Sequence, residues 1–219
     1  MINRVIRHLV LSDFLLNFAF GLLAPIFAIF VIGSIDGGSL RVIGLATACY
    51  WIARTATTVP LSRFMDKTNG ERDEFYFVVA GSFIMSSIPL FYILASLPWH
   101  IYLIQFLLGL ANSMAVPAWR ILFTDHIDYG RTGYEWSLED IAIGLSVGAS
   151  AYLGSIIAEK FGFDLVFILL AIMGYLATAI FLIPLKNDAK TLIQLKRSGR
   201  WAKIKAKREN LPSTIKETN

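Results

Sequence analysis

Five polar side chains lie within long apolar stretches of this sequence, and they are the residues best placed to do chemistry. Asp13 and Asn17 are four residues apart, so a helix would place them on one face. Arg54 lies in a second apolar stretch, and Gln105 and Asn112, seven residues apart, share a face in a third. A carboxylate, a guanidinium and three amides can hold a polar molecule by charge and hydrogen bonds. These residue types therefore predict binding rather than covalent catalysis.

Each of these residues also has a structural interpretation. Asp13 is about one turn inside its helix, where it could cap the helix end or pair with Arg4 or Arg7. Arg54 is deep enough in its helix to tie it to Asn17 or Asp13, or to extend its side chain towards the interface. The two amides of the third stretch could form hydrogen bonds between helices. The sequence leaves both interpretations open.

No catalytic or metal-binding pattern is present. The sequence contains no Gly-x-Ser-x-Gly elbow, no HExxH and no phosphate loop. Cys49 is the single cysteine, and His8, His100 and His126 fall in separate segments. We therefore expect no catalytic residue, no metal and no cofactor, and a protein that is not an enzyme. A membrane enzyme built from dispersed residues stays open as an alternative.

The composition is that of a membrane protein. The chain has 219 residues, is 56% hydrophobic and 16% charged, and has a mean hydropathy of +0.60. Soluble domains are about a quarter charged. The apolar runs lack the alternation of barrel strands, which predicts an all-α integral membrane fold in the lipid bilayer. Six runs are long enough to span, at about 9–32, 40–61, 75–97, 99–121, 138–158 and 163–185.

These runs predict a six-helix transmembrane domain in residues 1–185 and a basic cytoplasmic tail in residues 186–219. With six spans both termini share one side, and that side would hold 17 of the 20 lysines and arginines. The positive-inside rule then places both termini in the cytoplasm, and we expect a protein of the plasma (cytoplasmic) membrane. The tail could form an interfacial helix on anionic lipid, or serve only to set topology. No nucleic-acid partner is expected.

Two segments of the sequence repeat. The stretch DFLLNFAFGLLAP, from Asp13 to Pro25, matches QFLLGLANSMAVP, from Gln105 to Pro117, at Phe, Leu, Leu, Ala and Pro. A second match, offset by 93 rather than 92 residues, relates SRFMDKTNG at the end of the second span to SIIAEKFG at the end of the fifth. Each unit would hold three spans, so the second must be inverted. The sequence predicts a 3+3 inverted repeat, a feature of transporters.

The segment SRFMDKTNGERD between the second and third spans resembles the signature loop of the major facilitator superfamily (MFS). Asp66, Lys67, Gly70 and Arg72 match that loop in type, although a serine stands where glycine is usual. In the fourth span the family's arginine is replaced by glutamine, four residues before Gly109. The segment AEKFGFDLVF is similar to the family's fifth loop. The fifth span retains three glycines of a family motif without its proline, Gly144, Gly148 and Gly154.

This resemblance covers nearly all of residues 8–185, but family members usually have twelve spans, so the chain resembles one amino-terminal half. It implies a secondary transporter that moves a small, unidentified solute by alternating access. A parallel homodimer, or a pair with a second six-helix chain, could rebuild the central cavity. The residues expected to face that cavity are Asp13, Asn17, Arg54, Gln105 and Asn112.

The resemblance also implies that the loop residues Asp66, Lys67, Gly70 and Arg72 form a cytoplasmic gate. Their candidate partners on the same side are Asp125, Asp128, Arg131, Glu135, Glu139 and Asp140. A membrane scaffold or partner subunit that transports nothing is the alternative function. A split half that needs another chain, or a fragment of a longer protein, is a further alternative.

Overall fold

The computed structural model describes residues 4–67 and 72–195, with the side chains of residues 4–65 and 73–180. Within these ranges the chain is helical and contains no strand, which agrees with the predicted all-α fold. The elements are α1 (Arg4–Leu23), α2 (Phe27–Ser34), α3 (Leu40–Lys67), α4 (Arg72–Ser87), a 3-10 helix (Ile88–Leu94), α5 (Pro98–His126), α6 (Thr132–Phe161) and α7 (Phe163–Leu195).

Five helical stretches are long and apolar enough to cross a bilayer. The helix α3 has 28 residues, which is sufficient length, but Arg41, Arg54 and four threonines make it less apolar than the others. Among the described residues, five of the six predicted spans therefore meet this test and the second does not. The five stretches are Arg4–Ser34, Asp73–Leu94, Pro98–His126, Thr132–Phe161 and Phe163–Ile180.

Prolines interrupt two of these stretches. The structure divides the first predicted helix, about 9–32, at Pro25, which has no amide proton to continue the hydrogen-bond ladder. The Ile26 amide instead donates to the carbonyl of Leu23 at 3.0 Å, and the regular pattern resumes when the Phe30 amide donates to Ile26 at 2.9 Å. The third predicted helix likewise ends as the 3-10 helix that contains Pro89. Prolines in α3 and α5 lie inside continuous helices.

All six predicted helices extend beyond their ranges at one end of the bundle, and three of them illustrate this. The helix α3 ends at Lys67 instead of about 61, α5 ends at His126 instead of about 121, and α6 begins at Thr132 instead of about 138. The predicted ranges followed the apolar runs, whereas a helix can continue through charged residues once it leaves the hydrocarbon. We call this the amino-terminal end of the bundle, because α1 also begins there with Arg4.

Two buried clusters hold the bundle together, one towards each end. The cluster at the amino-terminal end contains Leu9, Met65 and Phe123, together with Phe75 and Trp119. The cluster at the opposite end contains aromatic rings packed edge to face. The Phe30 ring lies 4.9 Å from Phe167 and 5.8 Å from Tyr92, measured between centroids. Both clusters join helices that are distant in sequence.

Small residues allow the closest helix contacts, as is common between membrane helices. A side chain added at Gly109 of α5 would meet the backbone carbonyl of Tyr50 and the Cβ of Ala53 on α3. One added at Gly154 of α6 would meet the carbonyl of Leu22 on α1. The main helix pairs are therefore α3 with α5 and α1 with α6, and α4 packs on α5 while α7 packs on α1 and α4.

Candidate functional site

A cavity of about 480 Å³, open on one side, lies among α1, α3, α4, α5 and α6. The structure brings together side chains from three of these helices, α1, α3 and α5, that the sequence analysis singled out separately. Aromatic and aliphatic groups make up much of the remaining wall. The predicted residues that line the cavity are Asp13, Asn17, Arg54, Gln105 and Asn112.

Asp13 forms the centre of an acidic group in this cavity. The Asn17 Nδ2 atom donates to Oδ2 of Asp13 at 2.7 Å and to the Asp13 carbonyl at 2.9 Å. Glu139 on α6 lines the same cavity, and its charge and that of Arg120 on α5 act on the Asp13 carboxyl. The partners of Asp13 are therefore in the cavity wall, and not the basic residues near the amino terminus that the structural interpretation proposed.

Asp13 and Glu139 place two carboxyl groups in the wall of one cavity, on α1 and α6. Ionisable groups within a membrane bundle usually face the interior and mark pathways. The two acids are therefore candidates for contact with a solute in the cavity.

Arg54 has different partners from those expected. Its Nη1 atom donates to the Tyr50 hydroxyl at 3.2 Å, and its guanidinium carbon lies 5.0 Å from the centre of the Trp51 ring. Both partners are on the same helix, α3. Within the described residues the expected tie to Asn17 or Asp13 is not formed, because those two side chains bond to each other and Arg54 stays with its own helix.

The two amides of α5 differ in their surroundings. Asn112 makes a weak contact from Nδ2 to the Met85 sulfur of α4 at 4.0 Å. Its Oδ1 atom is buried and accepts no hydrogen bond from any described residue. Gln105 lines the cavity two turns further towards the opposite end of the bundle. Asn112 thus has a buried acceptor without a partner among the described residues, and the interhelical interpretation accounts only for its amino group.

The charged residues lie at two depths. At 1.5 Å per residue, Asp13 lies about 14 Å along α1 from Arg4, and Glu139 lies about 10 Å along α6 from Thr132. Arg120 is about 9 Å from the end of α5. Arg54 lies deeper, about 20 Å from Lys67 and close to the middle of α3. The cavity therefore has an acidic level near the amino-terminal end and a cationic level near the middle.

The sequence analysis missed Arg120 and Glu139 as cavity residues. It counted Arg120 with the charges at the membrane surface and treated Glu139 as a partner of the loop, because both lie at the edge of an apolar run. The structure places them inside α5 and α6, six residues before His126 and seven after Thr132. The sequence signal that could have identified them is that the segments around Arg120 and Glu139 can continue as helix beyond the apolar runs.

The predicted gate loop lies largely outside the described residues. Asp66 and Lys67 close α3 and Arg72 opens α4, but their side chains, and Gly70 entirely, fall outside the described ranges. The gate therefore remains a prediction. Near it, Glu135 is fully buried in the first turn of α6, where its Oε2 accepts the Asp128 amide at 3.1 Å. Of the proposed gate partners, Glu139 faces the cavity instead.

The predicted tail is described in part. The helix α7 continues to Leu195, so the backbone of the first ten residues after 185 is helical. Residues 196–219 fall outside the described ranges, and with them most of the basic residues on which the membrane-surface interpretation depends.

A helical bundle with five apolar spans and charged side chains turned towards an internal cavity defines an integral membrane protein. The chain belongs to the Major Facilitator Superfamily, because the sequence of residues 9–213 matches the sequence profile of that family. The resemblance noted from the signature loop is thereby confirmed. The family match and the relative below are to transporter proteins.

Two similar proteins extend the comparison. An uncharacterised MFS-type transporter of Methanocaldococcus jannaschii is 25% identical over 181 residues, which is 81% of this chain and 45% of that protein. The crystal structure of the POT family transporter PepTSo matches with a TM-score of 0.66 at 16% identity, over 85% of this chain and 38% of that one. The chain therefore spans less than half the length of each of these proteins.

Proposed function

We propose that this chain is an MFS-like secondary transporter of a small solute, working as a parallel homodimer by alternating access. The observation that carries the proposal is the cavity of about 480 Å³, which is open on one side and lined by Asp13, Arg54, Arg120 and Glu139. Charged groups inside a membrane are costly by at least ~2.5 kcal/mol each on insertion scales, so they are retained where they bind or move something.

The proposal includes six spans arranged as an inverted repeat of α1–α4 and α5–α7. The helix pairs support it, because in such a repeat each contact between the units has a counterpart. The contact of α3 with α5 corresponds to that of α6 with α1, and the contact of α4 with α5 corresponds to that of α7 with α1. All four of these pairs are present. In this arrangement α3 also spans the membrane, which brings the number of spans to six. It can carry Arg54 because that residue lines the cavity.

One pair of contacts supports the repeat at the level of single residues. On α5, Ser113 contacts Thr57 of α3 through a hydrogen bond of 2.7 Å between their hydroxyls. Gly21 lies 92 residues before Ser113, and Ser150 lies 93 residues after Thr57. These two residues are also in close contact, between α1 and α6. The offsets are the two found in the sequence. Corresponding positions of the two units thus serve the same type of helix contact.

A second copy would complete the cavity. Halves of MFS transporters are related by an axis along the membrane normal, and two identical chains in one orientation can obey that symmetry. The open side of the cavity would then face its counterpart, and rocking of the protomers would expose it to each side in turn. A second six-helix chain could take the same place. Both termini would lie in the cytoplasm and the assembly in the plasma membrane.

Native mass spectrometry of the protein released from lipid nanodiscs tests the assembly. A homodimer gives a species at twice 24.4 kDa, whereas a species at 24.4 kDa alone overturns self-assembly and directs the search to a partner chain. Uptake of a solute panel into proteoliposomes tests transport. If substitution of Asp13 or Arg54 changes assembly but no preparation takes up any solute, the chain acts as a scaffold and the transport proposal is wrong.

A further inference from the structure

Arg54 is a cation at the middle of a membrane helix with little from its own chain to neutralise it. It lies 14 residues from the start of α3 and 13 from its end, about 20 Å from each. The middle of a hydrocarbon layer of ~30 Å is about 15 Å from either headgroup region. The side chain is half-buried and lines the cavity. Its charge is therefore held inside the bundle and not at the surface.

The contacts of Arg54 support its orientation without satisfying its charge. The Tyr50 hydroxyl accepts one N–H at 3.2 Å, and the Trp51 and Tyr50 rings lie 5.0 and 6.0 Å from the guanidinium carbon. A guanidinium has five N–H donors in a planar fork. Among the described residues no carboxylate lies within ion-pair distance of this fork. Asp13, the nearest candidate by depth, is engaged with Asn17.

The geometry points to an anion, a small carboxylate or phosphate, bound in the cavity by the guanidinium of Arg54 and supplying the countercharge that the chain lacks. The inference names the solute class and rests on the transport function proposed above. Guanidinium matches carboxylate and phosphate in a two-point geometry that lysine cannot reproduce. The aromatic rings of Tyr50 and Trp51 hold the fork in place, so little conformational freedom is lost when the anion binds.

Asn112 on α5 lines the same cavity as Arg54. Its Oδ1 atom is buried and accepts no hydrogen bond from the described residues, so the amide must rotate to present this atom to a ligand. An unmet buried acceptor costs about 1–3 kcal/mol, and a ligand N–H or O–H would remove that penalty. With this rotation the cavity offers donors on α3 and an acceptor on α5. An anion that also carries a hydrogen-bond donor, such as a hydroxy acid, fits both.

Binding in a neutral lipid environment tests this inference apart from transport. The protein is placed in phosphatidylcholine nanodiscs at fixed ionic strength, and its unfolding temperature is measured with increasing acetate, lactate, benzoate or inorganic phosphate. Acetamide, lactamide and benzamide are the neutral controls of matched shape. A ligand that binds the folded state raises the unfolding temperature with its concentration. We expect saturable stabilisation by at least one anion and none by its amide.

Three variants locate the binding. Arg54→Gln should weaken anion binding by at least about tenfold, the factor that corresponds to the loss of one charge-assisted hydrogen bond. Arg54→Lys keeps the charge without the planar fork and should lose affinity to an intermediate extent. Arg41→Gln removes an exposed arginine from the same helix and should bind as the wild type does. If Arg54→Gln does not fold, the ratio of wild type to Arg54→Lys carries the test.

The inference is wrong if anions and amides stabilise the wild type equally, if none of the anions stabilises it, or if Arg54→Gln binds them unchanged. It is also wrong if the wild type is a homodimer that binds no anion and Arg54→Gln dissociates it. In that case the second copy supplies the countercharge to Arg54. Anion binding without uptake would keep this site and overturn transport. Uptake that is insensitive to Arg54 and to anions would keep transport and overturn this site.

Discussion

Asn17 donates a hydrogen bond of 2.7 Å from its Nδ2 atom to Oδ2 of Asp13, one helical turn away on α1. The Asp13 carboxyl lines the cavity together with Glu139 on α6 and Arg120 on α5. A side-chain pair within one helix thus positions an acid among charged groups from two other helices. Because α1 pairs with α6 and α3 with α5, this group lies where the two pairs face each other across the cavity.

Asp13→Asn should reduce solute uptake by about tenfold or more and leave assembly unchanged. The amide has nearly the size of the carboxyl and can still accept from Asn17, but it removes the negative charge that faces Arg120. The measurement is the initial rate of uptake into proteoliposomes, for whichever solute the wild type accumulates, with the oligomer checked by native mass spectrometry. Asp36→Asn, in an exposed loop, is the control. Equal rates for both variants would show that the acid at Asp13 serves structure alone.

Gly109→Ala should destabilise the bundle by about 1–3 kcal/mol, the typical cost of overpacking. The added methyl group would meet the Tyr50 carbonyl and the Ala53 side chain, so α3 and α5 would have to separate. Gly144→Ala is the matched control, because a Cβ at Gly144 meets nothing within 4 Å. Denaturant unfolding in detergent micelles compares the two. If Gly109→Ala is as stable as Gly144→Ala, then α3 and α5 have room for a methyl group at Gly109 and the close contact between the two helices is wrong.

Thr57→Val should cost about 0.6–2 kcal/mol, the range for hydrogen bonds between membrane helices. It removes the bond of 2.7 Å between Thr57 and Ser113 while it keeps the side-chain shape. Thr55→Val changes a neighbouring threonine that is exposed and bonds only within its own helix, to the Trp51 carbonyl at 2.7 Å. Unfolding of both variants under the same conditions gives the comparison, and the loss should appear for Thr57 and not for Thr55.

The two ends of the bundle should label from opposite sides of the membrane. In a Cys49→Ala background, a cysteine at Asp36 should react with an impermeant maleimide in intact cells, and a cysteine at Tyr129 only after permeabilisation. Asp36 and Tyr129 are exposed, and they lie in connections at opposite ends of the helices. The side that holds Tyr129 carries most of the basic residues, which the positive-inside rule assigns to the cytoplasm. The reverse labelling would invert the proposed topology.

Much of the fold was accessible from the sequence because run length and composition are local properties. A stretch of about 20 apolar residues must become a helix wherever it enters lipid, so the all-helical membrane class followed directly. The five polar residues could be chosen for the same reason: a charge or amide within such a stretch is conspicuous. The helix ends were less accessible, since α3, α5 and α6 continue through charged residues after the apolar runs stop.

The break at Pro25 shows the limit of local reasoning. Pro25, Pro89 and Pro117 all lie within predicted spans, yet α5 continues through Pro117 while the chain breaks at Pro25. Proline removes one hydrogen bond in each case, and the packing of neighbouring helices decides whether the ladder is restored. That packing is a property of the assembled bundle.

The sequence by itself determined that the chain is helical and belongs in a membrane, and it placed Asp13, Asn17, Arg54, Gln105 and Asn112 within long helices. The tertiary structure decided which of them meet. Arg54 bonds to Tyr50 instead of Asn17, and Glu139 joins Asp13 in the cavity. The reason is geometric: a helical period assigns a residue to a face of its own helix, but the neighbour of that face depends on how distant helices pack.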